Sequence, residues 1–94
     1  MTLEQESRRG EQARRLLEDP LLQEAFTTVE ATLHVTWSTT SDHATDERER
    51  IWLMLKLLRC VRARLSEVLE TGRLADTQLA EATKEHTLGV TTRD

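Results

Sequence analysis

Ninety-four residues, 37% hydrophobic and 32% charged, suffice for one small helical domain with a solvated exterior. The scarcity of turn residues and aromatics (Gly 3, Pro 1, Trp 2, Phe 1) disfavours β-sandwiches and barrels, which need many turns and β-rich strands. A net charge of −4, from 13 basic and 17 acidic residues, gives no global attraction to nucleic acid or anionic membranes, and the single Cys60 excludes an intramolecular disulfide.

Residues 3–18 read as a first helix, with Leu3, Gly10, Ala13 and Leu17 at helical spacing and Leu16 beside them. The stripe is thin, and a glycine inside a helix costs about 1 kcal/mol against alanine, so this segment is expected to dock weakly or to order against a partner. Asp19-Pro20 is the clearest punctuation in the chain: aspartate is a good N-cap, and proline in the first helical turn loses no needed hydrogen bond. A second helix over residues 20–39 then places Leu22, Phe26, Val29, Leu33 and Trp37 on one face, with Phe26 and Trp37 assigned to the core. Its other faces are rich in threonine and carry only Glu24 and Glu30.

Residues 38–44 form a polar connection, and a long helix follows over residues 46–71, with acidic Asp46, Glu47 and Glu49 in its first turn, where the helix dipole favours them. Ile51, Met54, Leu58, Val61, Leu65 and Val68 give its stripe, widened by Leu55 and Leu69, and Thr71-Gly72 is expected to stop it. After Gly72 the pattern weakens to a tail with one or two helical turns. The expected fold is therefore all-α: an antiparallel helical hairpin of residues 20–39 and 46–71, an N-terminal helix and a weakly helical C-terminal tail. It forms a single domain, 1–94, with residues 1–10 and 88–94 flexible.

Residues Ile51 to Leu58 are apolar nearly all round the axis, more than a two-helix hairpin can bury. Two compatible readings follow. Either the first helix and the tail wrap this end within one chain, or Trp52, Leu53 and Leu57 form a protein interface, most simply with a second copy in a dimer.

Chemistry-bearing motifs are not apparent. His34, His43, His86 and Cys60 have no metal-ligand spacing, no serine or threonine stands in a triad pattern, and the glycines are isolated. His34 follows Glu30 by four residues, as a surface helix pair would. No enzyme, cofactor or metal is expected. Arg48, Arg59 and Arg62 share a narrow sector beside Trp52. They are the candidate nucleic-acid contact, set against the simpler reading of a solvated edge whose arginine stems cover apolar surface. No stretch is long and apolar enough to span a membrane, and MTLEQESRRG lacks the apolar core of a secretory signal, so a soluble, cytoplasmic protein is expected.

The run Asp19-Pro20-Leu21-Leu22-Gln23-Glu24-Ala25-Phe26 precedes Trp37, a threonine-rich connection, Arg48-Glu49 with Trp52, and Leu69-Glu70-Thr71-Gly72-Arg73-Leu74-Ala75. Over residues 11–80 this pattern resembles small helical proteins encoded by tailed bacteriophages and prophages. The resemblance implies a phage origin, a place among head-assembly or DNA-packaging proteins, and a location in the host cytoplasm or the virion. It carries over no catalytic residue. The expected function is a non-enzymatic, self-associating interaction protein in virion assembly or packaging. The alternatives are a nucleic-acid-binding packaging or regulatory factor, and a phage inhibitor of a host protein.

Overall fold

A computed structural model describes the backbone of residues 1–91 and the side chains of residues 1–86. It contains three helices and, among the described residues, no strand: α1 (Leu3–Glu18), α2 (Pro20–Thr39) and α3 (Thr45–Thr91). None is long and apolar enough to cross a membrane.

Each break has a local cause. Thr2 and Gln5 form a reciprocal capping box at the start of α1, each side chain bonding the other residue's backbone N–H. Asp19 ends one helix and begins the next. Its backbone N–H donates to the Leu16 carbonyl at 3.2 Å, while its carboxylate accepts from Leu22 N–H at 3.0 Å. Gln23 Nε2 reaches back to the Leu17 carbonyl at 2.8 Å, so the last carbonyls of α1 find donors across the break.

The contacts show how the helices are laid out. Ser7 meets Asp76, Gly10 meets Gly72, Phe26 and Glu30 meet Arg62, and Trp37 meets Arg48. As residue number rises through α1 and α2, the residue met on α3 falls. The first two helices therefore succeed one another along a single long third helix, both running opposite to it. The molecule is a rod, 78 × 24 × 17 Å, with a radius of gyration of 21.3 Å against about 12 Å for a compact chain of this length.

Gly72 is not a helix stop. α3 continues through it to Thr91, and no glycine among the described residues has positive φ. The weakly helical tail expected after residue 71 is instead the second half of one helix; residues 92–94 of the segment expected to be flexible lie outside the described residues. Gly72 serves packing: a Cβ added to it would lie 2.5 Å from the Gly10 Cα, and one on Gly10 would lie 2.6 Å from the Gly72 Cα. Two helix backbones touch here, a separation only a glycine pair permits, and Ala13 and Ala75 are buried beside the crossing. The first helix, expected to dock weakly, makes the closest packing in the molecule. Its thin stripe of small residues is the reason.

The seam on α3 follows a seven-residue repeat. Ile51, Leu58, Leu65, Gly72 and Leu79 form one row, and Arg48, Leu55, Arg62, Leu69 and Asp76 form the other; all are buried or half-buried except Asp76. Met54 and Val61, expected on the stripe, are exposed instead. On α2 the seam holds Leu22, Phe26, Glu30, Leu33 and Trp37, all half-buried, while Val29 points out at 48% exposure. Not one α2 residue is fully buried. Beyond Leu79 every described side chain of α3 is exposed, so its end projects past α1.

Candidate interaction surfaces

The polar residues in the seam are spaced two heptads apart: Arg48, Arg62 and Asp76. Each has a partner on the opposing helices. Asp76 accepts a hydrogen bond from the Ser7 hydroxyl. Arg62 lies 3.4 Å from the Glu30 carboxylate, with its guanidinium 4.9 Å from the Phe26 ring centroid. Glu30 thus pairs across the seam with Arg62 and not with His34, its expected neighbour.

Arg48 stacks on Trp37 at 4.0 Å from the ring centroid. Its Nη1 donates to the carbonyls of Trp37 at 3.2 Å and Thr40 at 3.3 Å, with Asp42 at 3.8 Å. α2 has no basic residue in its own last turn, and Arg48 supplies that charge from α3, where the helix dipole and the free carbonyls both favour it. Of the three arginines that share a sector in sequence, two are therefore engaged within the chain. Arg59 remains on the surface, lining a groove of about 340 Å³ with His34, Trp37, Trp52, Leu55 and Lys56. Lys56 Nζ sits 5.0 Å from the Trp52 ring centroid in the same groove.

Trp52, Leu53 and Leu57 are all exposed, at 49%, 52% and 66%. They do not form one patch. At about 100° per residue, Trp52 stands about 100° from Leu53 and about 140° from Leu57 around α3. Trp52 belongs to the flank that also carries His34 and Arg59. Leu53 faces away from the seam, and Leu57 belongs to the opposite flank, where exposed Met54 and Val61 extend the row. In an antiparallel helix pair, equal angular offsets from the seam fall on the same side, which places Val29 of α2 beside this row.

A further surface on α2 lies outside the apolar stripe that first draws the eye. Leu21, Ala25, Thr28, Thr32, Val35 and Thr39 recur at steps of 4, 3, 4, 3 and 4, and all six are exposed. No charge interrupts them, whereas half of the residues of α1 are charged. The threonines read as a polar exterior in sequence, but their hydroxyls turn inward. Thr32, Thr36 and Thr39 donate to the carbonyls of Thr28, Thr32 and Val35 at 2.9, 2.8 and 3.0 Å, leaving their methyl groups outward.

Among the described residues, no three His, Cys, Asp or Glu side chains gather where a metal ion could be held. Cys60 is exposed on α3. Among the described residues, the single strongly perturbed carboxylate is Glu11 on α1, held down to about 2, first by its hydrogen bond to Arg14 and then by the nearby charges of Arg14 and Arg15. Arg14 bridges it to Glu18 at 2.5 Å, an i,i+3 and i,i+4 surface network. Comparison with protein-family models, curated proteins and solved structures gives no significant match to this chain.

Proposed function

We propose that this chain is a non-enzymatic helical interaction module that works as a homo-oligomer, most simply a dimer. One observation carries the reading: the chain has far more surface than a finished domain of its size. A folded monomer of 10.8 kDa exposes about 5,500 Å², and this one exposes 7491 Å². The difference, about 2,000 Å², exceeds the roughly 800 Å² per partner of a standard protein interface. α2 buries nothing fully, and large apolar side chains stand exposed on it and on the start of α3. A second copy is the simplest supply of a complementary helical surface, because small domains commonly complete their cores by association.

Light scattering of the purified protein across micromolar concentrations tests this. The expected result is a mass of at least twice 10.8 kDa, and a strict 10.8 kDa monomer throughout removes the reading. As the biological role we propose an accessory in virion assembly or DNA packaging. Its support is the resemblance of residues 11–80 to small helical phage proteins. Stoichiometric copies of the chain in virions or their precursors would support that role, and absence from both would remove it. Direct nucleic-acid binding is less favoured, since Arg48 and Arg62 spend their charge on Trp37, Thr40, Asp42 and Glu30.

A further inference from the structure

Resting on the self-association just proposed, we infer that the second copy docks on the flank of α3 that carries Trp52. The contact is an antiparallel α3–α3 pair in which Glu49 of each chain meets Arg59 of the other.

Charge is segregated along α3. Asp46, Glu47 and Glu49 open the helix, and residues 50–66 then hold Arg50, Lys56, Arg59, Arg62 and Arg64 with no carboxylate among them. Several other surface charges pair within their own helix: Arg14 with Glu11 and Glu18, Arg64 with Glu67, and Arg73 with Glu70. Glu49, Lys56 and Arg59 cannot do so, because no opposite charge stands three or four places from any of them. None of the three has an ion pair among the described residues. The facing helix does not supply one. α2 contributes His34 to the groove beside Lys56 and Arg59, and its Glu30 is turned to Arg62. Glu24, its other acid, lies about 15 Å along the helix from His34.

These three charges share one stripe. Thr45, Glu49, Trp52, Lys56, Arg59 and Ala63 recur at steps of 4, 3, 4, 3 and 4, all exposed, about 100° round α3 from the seam. The stripe is acidic before Trp52 and basic after it. A one-signed flank would fit an oppositely charged partner, whereas a flank with both signs in this order complements itself when reversed. That is the symmetry of a two-fold pair.

With two copies antiparallel and the axis level with Met54, Glu49 faces the partner's Arg59 and Thr45 faces the partner's Ala63. Trp52 packs on the aliphatic stem of the partner's Lys56. The overlap runs over residues 45–63, about 28 Å of helix. A parallel pair would instead set Glu49 on Glu49 and Arg59 on Arg59, and like charges opposed across an interface suppress pairing. The antiparallel arrangement also brings the two α2 helices onto the same side of the α3 pair.

The experiment measures the dimer dissociation constant of the full chain by light scattering over a concentration series at low salt, with circular dichroism reporting helix content. The variants are Glu49→Arg, Arg59→Glu, the two together, and Leu57→Lys on the opposite flank. Truncating an exposed pair removes little, so reversal is the sharper probe. Each single reversal turns two attractive contacts per dimer repulsive and is expected to weaken the dimer about tenfold or more. The double reversal restores the opposite-sign contacts and is expected to return to the parent value, a rescue that a loss of helix content cannot produce. Leu57→Lys is expected to leave the constant unchanged. If the parent chain is a dimer but the single reversals leave it intact, or the double reversal binds no better than they do, this interface is wrong while self-association stands. Weakening by Leu57→Lys alone places the interface on the other flank. A monomeric parent chain removes both the interface and the reading beneath it.

Discussion

Replacing Gly72 with alanine tests the central crossing through the sign of its effect. In a helix whose face is free, glycine to alanine stabilises by about 1 kcal/mol, because alanine restricts the unfolded chain and favours the helix. Here the new Cβ would sit 2.5 Å from the Gly10 Cα and 3.1 Å from the Glu6 carbonyl oxygen, both backbone atoms that no rotamer change can move aside. The helices must separate by about 1 Å to restore ordinary contact. A gap of that size forfeits a quarter to a half of the packing attraction around it, here the burial of Ala13 and Ala75. Overpacking costs about 1–3 kcal/mol, and a backbone obstacle belongs at the upper end. Subtracting the propensity gain leaves Gly72→Ala destabilised by about 2 kcal/mol, or a fall in Tm of about 10 °C for a chain of this size. Thermal and urea unfolding followed by circular dichroism, at one fixed protomer concentration, measures it. Gly10→Ala is expected to behave in the same direction. A Gly72→Ala variant stabilised by about 1 kcal/mol would refute the crossing, because it would mean that α1 does not lie there.

Arg48→Ala removes the charged donor from the end of α2 and the cation from the Trp37 face, and is expected to cost about 1–2 kcal/mol in urea unfolding. Arg59→Ala, without an ion pair among the described residues, is expected to stay within about 0.5 kcal/mol. Equal losses for the two would contradict the assignment of Arg48 to the helix end. Carboxylate NMR is expected to place the Glu11 midpoint near about 2. A carboxylate depressed in the folded state adds stability above its ordinary value of 4.5, and loses it as pH falls toward about 2. Salt should shrink this depression, since the Arg14 network is on the surface, and a midpoint near 4.5 at low salt would show that the network does not form in solution.

The all-α class, the break at Asp19-Pro20 and the charge-poor second helix follow from residue spacing and capping chemistry alone. The capping box Thr2-x-x-Gln5 was also legible, as a hydroxyl followed three residues later by an amide, although a sparse apolar stripe draws attention away from it. The course of α3 was not legible. A glycine after an apolar run looks the same whether it stops a helix or admits another backbone, and the fact that decides for Gly72 is Gly10, far away in sequence. The seam was misplaced for a related reason. Arg48, Arg62 and Asp76 look like solvent-facing gaps until their partners Trp37, Glu30 and Ser7 are known, so Met54 and Val61 were placed in the stripe and Arg48 and Arg62 were not. Trp52, Leu53 and Leu57, expected as one interface, are all exposed. Their separation around α3 needed the position of α2.

Hydrogen exchange along α2 tests the claim that a second copy completes this rod. α2 buries no residue fully within one chain, so its amides should open readily in a monomer, while those of α1 at the Gly10–Gly72 crossing should not. The account predicts that at tens of micromolar the α2 amides are protected as well as those of α1, and that dilution strips the protection from α2 alone. Rapid exchange throughout α2 at every concentration, beside a protected α1, would contradict it.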